Sequence, residues 1–445
     1  MYDYFLALAN YVNTILAGNE SSGNESSTCW FSAETSDFVR FNHSAIRQPG
    51  HVLQISLSLQ LICGQRHASM RFNLSGNLEQ DQAVIDASLL DLRSLLPDLP
   101  DDPHLLLATE LTNTKQILPS ALPPVTEMLE QILTATQGVD MVGLLSTGTQ
   151  YRGFANSLGQ RNWYESSNVN FDWSLFHTAD KAVKSNYAGT SWDVAQVRHK
   201  MADARQKLLL LARTPVTVPP GNYRVYLSPT ALNELIMMLN WGGLSEKALR
   251  TRHSCLRRLQ AGELRLHPML DIAEDSRIGL APAFQEQGFV KPDIIPLISA
   301  GKLSGSMISP RSAKEFGLSA NGAGADENAV CMVMRAGTLA TNEVLSKLGT
   351  GIYIANLWYL NFSDRASCRI TGMTRFATFW VEDGEIKAPL NVMRFDDSLF
   401  RILGENLLEL TQETEVIMDD RSYGERHTGG AVVPGALLKE MHFAL

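Results

Sequence analysis

The chain has 445 residues, of which 44% are hydrophobic and 19% charged, and its formal net charge is −9. These values are typical of a globular protein that is too long for one hydrophobic core, so we expect two or three domains. The negative charge argues against nucleic-acid binding, which needs clustered Lys and Arg. Apolar runs such as Leu208 to Ala212 are far shorter than the roughly 20 residues of a membrane-spanning helix.

The N-terminal quarter predicts a helix followed by an antiparallel meander. Residues 1–18 form the helix and residues 18–27 a polar loop. Alternating apolar residues in Val52–Cys63 indicate a strand, with which Arg66–Leu74 is expected to pair. Because residues 2–16 lack the basic start and the cleavage site of a secretory signal, we predict a cytoplasmic protein. There the cysteines are expected to be reduced and structural: Cys29, Cys63, Cys255, Cys331 and Cys368.

A second α/β unit follows a proline-rich stretch. We predict a helix over Pro123–Gln137 and two short strands, Met141–Ser146 and Gln150–Asn156. Another strand is expected over Trp163–Trp173, and a long helix with charges on one face over Val194–Leu211.

The segment Thr214–Gly221 is the best candidate for a linker. Its three prolines and its glycine disrupt both helix and sheet. We therefore predict an α+β protein with a domain boundary in this segment. Residues 1–214 form an N-terminal α/β domain with mixed sheets, and residues 215–445 form a C-terminal β-rich domain that begins with a strand-turn-helix corner.

That corner lies in residues 223–249. Alternating apolar residues in Tyr223–Leu227 predict a strand. Ser228 then offers an N-cap oxygen, Pro229 suits the first helical turn, and Ala231–Leu239 favours a helix. Corners of this kind often carry catalytic residues, because a rigid scaffold positions the side chains at the turn.

The last third of the chain is rich in predicted strands. A hairpin is expected over Ile294–Met307, and Asp383 with Gly384 is typical of a type I′ turn between two strands. A helix is predicted over Ser398–Leu410. The expected strands are Val330–Arg335, Gly351–Asn361, Cys368–Ile370, Arg375–Glu382 and Glu385–Leu390.

Motifs for known catalytic chemistry are missing from the sequence. The ten histidines are dispersed, and no two lie four or five residues apart, so we expect no metal site built wholly within this chain. There is no GxSxG elbow and no P-loop. The glycines Gly322 and Gly324 lack the third glycine and the strand-to-helix setting of a dinucleotide site, so a loop is expected there.

Three clusters have both a structural and a functional interpretation. A basic cluster is a solvated helix face or a docking surface for an acidic partner: Arg250, Arg252, His253, Arg257 and Arg258. An acidic cluster is a solvated face or a cation site without EF-hand spacing: Glu405, Glu409, Glu413, Glu415, Asp419 and Asp420. An aromatic set is core packing or a peptide-binding sheet edge: Tyr353, Trp358, Tyr359 and Phe362.

The run Gly351–Leu390, GIYIANLWYLNFSDRASCRITGMTRFATFWVEDGEIKAPL, resembles the core signature of the TldD/PmbA family, once called modulators of DNA gyrase. Residues 140–143 (DMVG) and 152–157 (RGFANS) resemble an inner strand pair of that family. Residues 297–303 (LISAGKL) resemble its middle hairpin, and residues 433–438 (VPGALL) resemble its closing segment.

The resemblance implies a site that has lost its metal ligands. In the family, one subunit type is a zinc protease with a His-Glu-xxx-His helix after the corner and a C-terminal cysteine ligand. Here Asn233, Glu234 and Met238 take those helix positions, and residues 423–434 contain His427 but no cysteine. Amide and thioether groups are poor ligands for hydrolytic zinc. The resemblance therefore implies the non-catalytic, PmbA/TldE-like subunit.

From this resemblance we expect a pseudo-protease subunit without catalytic residues or a cofactor of its own, at a degenerate slot formed by Asn233, Glu234 and Met238. The expected partners are a TldD-like subunit that holds the zinc and an unfolded peptide that the heteromer degrades or trims. One alternative is a peptidase with an atypical site at Glu234, His427 or His253. Another is a peptide-binding homodimer. Its binding residues would be Tyr353, Trp358 and Tyr359.

Overall fold

The structure is a computed structural model that describes residues 1–18, 25–178 and 181–444. Most of the polar loop predicted over residues 18–27 lies outside the described residues. Nowhere in the described ranges is there a helix long and apolar enough to cross a membrane.

The described residues of the first half form a seven-stranded mixed sheet and four α-helices. The strand order is β3-β2-β1-β5-β6-β4, and β7 also pairs with β6. The strands are β1 (Glu25–Asn42), β2 (Ala45–Cys63), β3 (Arg66–Asn73), β4 (Thr114–Ile117), β5 (Asp140–Asn156), β6 (Arg161–Thr178) and β7 (Lys181–Gly189). The helices are α1 (Tyr2–Ala17), α2 (Leu78–Leu95), α3 (Val125–Ala135) and α4 (Val194–Leu211).

The predicted meander is confirmed, since β1, β2 and β3 pair antiparallel in sequence. Helix α1 covers this part of the sheet with its apolar stripe. The rings of Phe5 and Trp163 stack at 5.6 Å, and Phe31 lies 5.9 Å from Trp163. Burying aromatic rings of this size is a main source of stability in such a core.

The second half forms an eleven-stranded mixed sheet in the order β11-β10-β9-β12-β18-β16-β14-β13-β8, with β15 on β14 and β17 on β18. Its strands are β8 (Gly221–Leu227), β9 (Ile272–Asp275), β10 (Ile294–Ser299), β11 (Lys302–Leu303), β12 (Cys331–Met334), β13 (Gly351–Asp364), β14 (Arg369–Glu382), β15 (Glu385–Pro389), β16 (Arg394–Ser398), β17 (Leu407–Met418) and β18 (Gly430–Phe443). The helices are α5 (Pro229–Met237), α6 (Glu246–Arg250), α7 (Arg257–Gln260), α8 (Pro310–Phe316) and α9 (Val344–Leu348).

Five strands of this sheet close into a ring. Strand β8 pairs with β13 on one side, where Val225 lies opposite Ile352. On its other side β8 pairs with β18, where Val225 lies opposite Leu438. Strands β14 and β16 complete the circuit, which closes where Phe395 faces Phe443. Closure of this kind removes exposed strand edges.

The two halves share hydrophobic packing. Ala377 and Phe379 of β14 lie in the same buried cluster as Phe171 and Trp173 of β6. The predicted linker follows α4 and is held to the second sheet, since the backbone N–H of Val216 donates to the Pro389 carbonyl at 2.8 Å. The α+β class with mixed sheets is therefore confirmed, whereas division into two domains stays a prediction.

Three element predictions are wrong. The strands predicted over Cys368–Ile370 and Arg375–Glu382 are one strand, β14. Residues 140–156 form one strand instead of two, because Gly148 continues the pairing with β1 opposite Ser36. Gly148 has a φ of +136°, and a Cβ atom there would lie 2.1 Å from the Thr35 carbonyl oxygen, so only glycine fits. The helix predicted over Ser398–Leu410 is only a short helical turn with a π-helical segment at Arg401–Glu405. The chain then continues as β17, because antiparallel pairing with β18 decides its conformation.

Candidate functional site

The predicted corner is confirmed. Strand β8 ends at Leu227, and the Ser228 hydroxyl oxygen accepts a hydrogen bond from the backbone N–H of Ala231 at 3.2 Å, which caps α5. The same hydroxyl donates to the Ala355 carbonyl of β13 at 2.6 Å. The cap therefore fixes the residue at which α5 starts, and the hydrogen bond to β13 fixes the orientation of the helix relative to the sheet.

Helix α5 divides its residues between the core and a cavity. Leu232, Leu235 and Ile236 are fully buried, whereas Asn233, Glu234 and Met237 line the cavity. Residues 233 and 237 are four apart and share a face, as helical periodicity requires. The helix thus presents a polar face, with one methionine, to the cavity.

Met238 lies away from this cavity. It is 3% exposed and packs in the main hydrophobic cluster of the second half. Residues five apart on an α-helix are separated by roughly 140°, so Asn233 and Met238 cannot face the same space while the helix is regular. The structure therefore brings Asn233 and Glu234 together and leaves Met238 out.

The cavity next to α5, here called the corner cavity, has a volume of about 910 Å³. Both halves of the chain contribute to its wall. The contributing elements are β1, β6, β7, α5, β13 and the segments 240–241, 281–291, 324–330 and 417–431. A volume in this range suits a small molecule or the end of a peptide.

Charged groups from distant elements meet at Glu234. Lys184 of β7 and Asp172 of β6 form an ion pair at 3.1 Å on the cavity wall. Burial raises the pKa of the Glu234 carboxyl, Lys184 lowers it, and Asp420 raises it further. Burial also raises the pKa of the Asp172 carboxyl, against the effect of Lys184.

One wall of the corner cavity is the 419–429 loop, which a buried polar network attaches to the first sheet. The Arg426 backbone N–H donates to the Glu34 carboxylate at 3.1 Å, and the Arg426 carbonyl accepts from Gln150 and Arg152 at 2.9 and 3.1 Å. The Arg426 guanidinium also donates to the Asn168 side-chain oxygen. Burial lowers the pKa of that guanidinium to about 10.

Asn233, Glu234 and Met238 do not form a ligand set that fits zinc. The Met238 sulfur is in the core, and Asn233 offers only a neutral carboxamide. Among the described residues, no group of three or more His, Cys, Asp and Glu side chains is placed to hold a metal ion. His427 lines the corner cavity, whereas His253 lies on an exposed turn beside Thr251.

The predicted aromatic residues separate into two groups. Tyr353 packs against Tyr226 at 5.3 Å, under the Lys207 ammonium group. Trp358 and Tyr359 are 47% and 75% exposed, and their rings lie 5.6 Å apart. In the described ranges, this end of β13 pairs with β14 alone, because the pairing with β8 stops at Ile354.

Several residues of the charged clusters pair with nearby residues. Arg250 and Arg258 are paired with nearby Glu246 and Glu263. Along β17 the acidic residues project to different neighbours, and Glu415 binds Lys200 at 2.8 Å. Only the last two acidic residues reach the corner cavity, Asp419 and Asp420.

Sequence reasoning missed most of the polar cavity wall. Asp172, Lys184 and Glu286 are single charged residues in segments far apart along the chain. No motif or spacing links them, so only the folded sheet arrangement identifies them.

Solved structures of other proteins share this α+β architecture across nearly the whole chain. A candidate modulator of DNA gyrase from Thermotoga maritima has a TM-score of 0.78 and 13% identity, covering 98% of this chain and 99% of its own. TldE from Thermococcus kodakarensis has a TM-score of 0.75 and 14% identity, covering 98% and 100%. A candidate gyrase modulator from Bacteroides thetaiotaomicron has a TM-score of 0.69 and 15% identity, covering 94% of each chain. At these identities the likeness concerns the fold.

The family follows from the sequence of the second half. A family profile described as the PmbA/TldA metallopeptidase C-terminal domain matches residues 220–445, half of the chain. A search of curated proteins finds no match. The chain belongs to the TldD/PmbA family, which confirms the resemblance, and it is related to metallopeptidases.

Proposed function

We propose that this chain is the non-catalytic subunit of a cytoplasmic zinc metalloprotease heteromer that degrades or trims peptides. The observation that carries the proposal is the division of α5, where Asn233 and Glu234 face the corner cavity and Met238 is buried in the core. The two positions at which the family's helix carries histidine, here Asn233 and Met238, thus offer no zinc ligand. Catalysis is assigned to a TldD-like partner that holds the zinc, and this chain completes the chamber.

Two further findings support this role. Family membership relates the chain to metallopeptidases, and its fold is shared with TldE from Thermococcus kodakarensis. The corner cavity also has a size that suits a peptide end.

The test mixes the purified chain with a TldD-like family member that carries the His-Glu-xxx-His helix. We expect a heteromer by size-exclusion chromatography with light scattering, and cleavage of a fluorogenic peptide by the mixture. The control is the same mixture with the partner's helix Glu replaced by Gln, which should assemble and stay inactive. Two separate, inert proteins would contradict the proposal.

A second candidate function is that of a peptidase in its own right. It is favoured by Glu234 and His427, which line the same cavity, and by the raised pKa of the Glu234 carboxyl. Metal analysis and peptide cleavage by the isolated chain decide the matter. Stoichiometric zinc that disappears together with activity in Glu234→Ala would establish this candidate in place of the first.

A third candidate is a peptide-binding homodimer. It is favoured by the exposed rings of Trp358 and Tyr359 on the singly paired end of β13, since such edges bind extended chains through backbone hydrogen bonds. Trp358→Ala should then weaken peptide binding by the isolated chain, with the exposed Tyr423→Ala as the control. Unchanged binding removes this candidate.

A further inference from the structure

Arg375 of β14 stacks on two aromatic rings and leaves its hydrogen-bond donors unused. Its Cζ atom lies 4.2 Å from the ring centre of Trp358 and 4.8 Å from that of Phe376. The guanidinium makes no hydrogen bond or ion pair with any described residue. The residue is partly exposed, and its nitrogen atoms are not among the unpartnered polar atoms that are sealed from solvent. Its five N–H donors are therefore within reach of a ligand.

Other arginines that stack on rings in the described ranges use their donors within the chain. Arg250 lies over a ring and donates to the Glu246 carboxylate at 2.7 Å. Arg365 also lies over a ring and donates to the Trp241 carbonyl. Among these three stacked arginines of the described residues, only Arg375 has donors without an acceptor. Stacking on a ring thus does not by itself account for its unpaired edge.

The backbone around Arg375 is strained at two aromatic residues. Tyr359 and Phe376 have φ values of +59° and +56°, in the left-handed region that bulky side chains rarely adopt. Each lies where the register of the β13–β14 pairing shifts. Such bulges redirect side chains, and strain of this kind is concentrated at functional sites. The two bulges bring the rings of Trp358 and Phe376 onto the same arginine.

The position of Asn356 places Arg375 at the rim of the corner cavity. Asn356 lines the cavity wall and lies opposite Arg375 in the β13–β14 ladder. Residues opposite each other in such a ladder have Cα atoms roughly 4.5–5.5 Å apart. A group that binds Arg375 is therefore beside the cavity.

A guanidinium held in this way is suited to an oxyanion. Stacking occupies the faces of the planar group, whereas its edge offers two parallel N–H donors that match the two oxygens of a carboxylate. The chain has a net charge of −9, and Glu234, Glu286 and Asp420 line the adjacent cavity. A polyanion such as nucleic acid is repelled by this charge, whereas one carboxylate needs only one cation.

We propose that Arg375 binds a carboxylate of a peptide at the rim of the corner cavity, either an acidic side chain or the C-terminal carboxylate. The rings of Trp358 and Phe376 hold the guanidinium in position. The choice of a peptide rests on the proposed function, whereas the preference for a carboxylate rests on Arg375 and its surroundings alone. The bound carboxylate then anchors the peptide beside the cavity.

The experiment titrates the isolated chain with three N-acetylated hexapeptides that contain no lysine or arginine, by isothermal titration calorimetry. One has a C-terminal amide and no acidic residue, one has the amide and a single glutamate, and one has a free C-terminal carboxylate and no acidic residue. We expect the neutral peptide to bind about tenfold or more weakly than the preferred acidic peptide. Comparison of the two acidic peptides identifies the source of the carboxylate. Added salt should weaken binding of the acidic peptide and not of the neutral one.

Two substitutions test the arginine itself. Arg375→Gln removes the charge and should lower the affinity for the preferred acidic peptide to that for the neutral peptide. Arg375→Lys keeps the charge but loses the planar fork, so we expect an intermediate affinity. The control is Arg47→Gln at an exposed position of β2, which makes the same change of charge and should bind as the natural chain does. Melting temperatures establish which variants are folded.

Equal affinities for acidic and neutral peptides, no binding of any of the three, or an unchanged preference in folded Arg375→Gln would each overturn the inference. If Arg375→Gln does not fold, an unchanged affinity in Arg375→Lys would overturn it in the same way. None of these results bears on assembly with a zinc-bearing partner. Conversely, a chain that fails to form an active heteromer but prefers acidic peptides would remove the proposed function and keep this site.

Discussion

Met237 and Met238 are adjacent methionines with different surroundings. Met238 is buried in the main core of the second half, whereas Met237 borders the corner cavity. We expect Met238→Ala to lower the free energy of unfolding by about 2–5 kcal/mol, the cost of removing a buried methionine side chain. Met237→Ala is the matched control and should cost less, as measured by urea denaturation. Equal losses would contradict the assignment of Met238 to the core.

The cysteines should differ sharply in reactivity. Cys63 is exposed, whereas Cys29, Cys255, Cys331 and Cys368 are buried. Burial raises the pKa of both the Cys29 and Cys331 thiols to about 12, and the thiol form is unreactive. A thiol reagent such as Ellman's should therefore label one cysteine quickly in the native protein and all five in denaturant.

Cys63→Ser provides the control for this measurement. The variant should show no fast-reacting thiol under native conditions. A second fast thiol in the natural chain would mean that one of the four interior cysteines is accessible.

At the scale of residues, the sequence predicts what depends on near neighbours. Ser228 and Pro229 identify the helix start from local chemistry alone, whereas Asn233 and Glu234 were identified through the resemblance to the family's helix. Lys184 lies near enough to lower the pKa of the Glu234 carboxyl only because β6, β7 and α5 meet in the folded protein. No motif or spacing in the local sequence predicts that these three elements are close in the fold.

At the scale of elements, the 419–429 loop depends on one buried arginine. Arg426→Met keeps an apolar stem of similar length but removes the charge that faces Glu34 and Asn168. Because the buried Glu34 carboxylate then keeps only Arg152 of the two arginines that interact with it, and Asn168 loses a charged donor, we expect a loss of about 1.5–3 kcal/mol in the free energy of unfolding.

The matched control for this prediction lies in the same loop. Arg421→Met removes an arginine whose side chain is 68% exposed, so its ion pair with Asp419 should contribute at most about 1 kcal/mol. Urea denaturation of both variants checks the difference. A loss no greater for Arg426→Met than for Arg421→Met would contradict the role of the network.

Elements defined by local signals are predicted better than those defined by a distant partner. The hairpins at 294–303 and 369–389 were predicted because turn residues separate their strands. The first residues of β17, up to Leu410, fall within a predicted helix, because the apolar spacing of residues 398–410 suits a helix when the chain is considered alone. Pairing with β18 supplies the preference that the local sequence lacks.

At the scale of the whole molecule, shared packing couples the two halves. Phe379 of the second sheet is fully buried in a cluster with Phe171 and Trp173 of the first. We expect Phe379→Ala to cost about 3–5 kcal/mol and to shift one common unfolding transition. Circular dichroism and tryptophan fluorescence should give the same midpoint in the natural chain and in the variant.

Two separated transitions, of which Phe379→Ala moves only one, would instead mean that the halves unfold independently. That result would support the boundary predicted at residues 214–221. Coincident transitions would mean that neither half reaches its full stability without the other.

The strand ring also sets an order of events during synthesis. Strand β8 is synthesised long before β18, one of its two neighbours in the ring, which extends to Phe443. At typical synthesis rates of 5–20 residues per second, the ring stays open for roughly 10–40 seconds after β8 has been made. During that interval the backbone groups of β8 that later bind β18 are unpaired, so the nascent second half is exposed to aggregation until its last strand arrives.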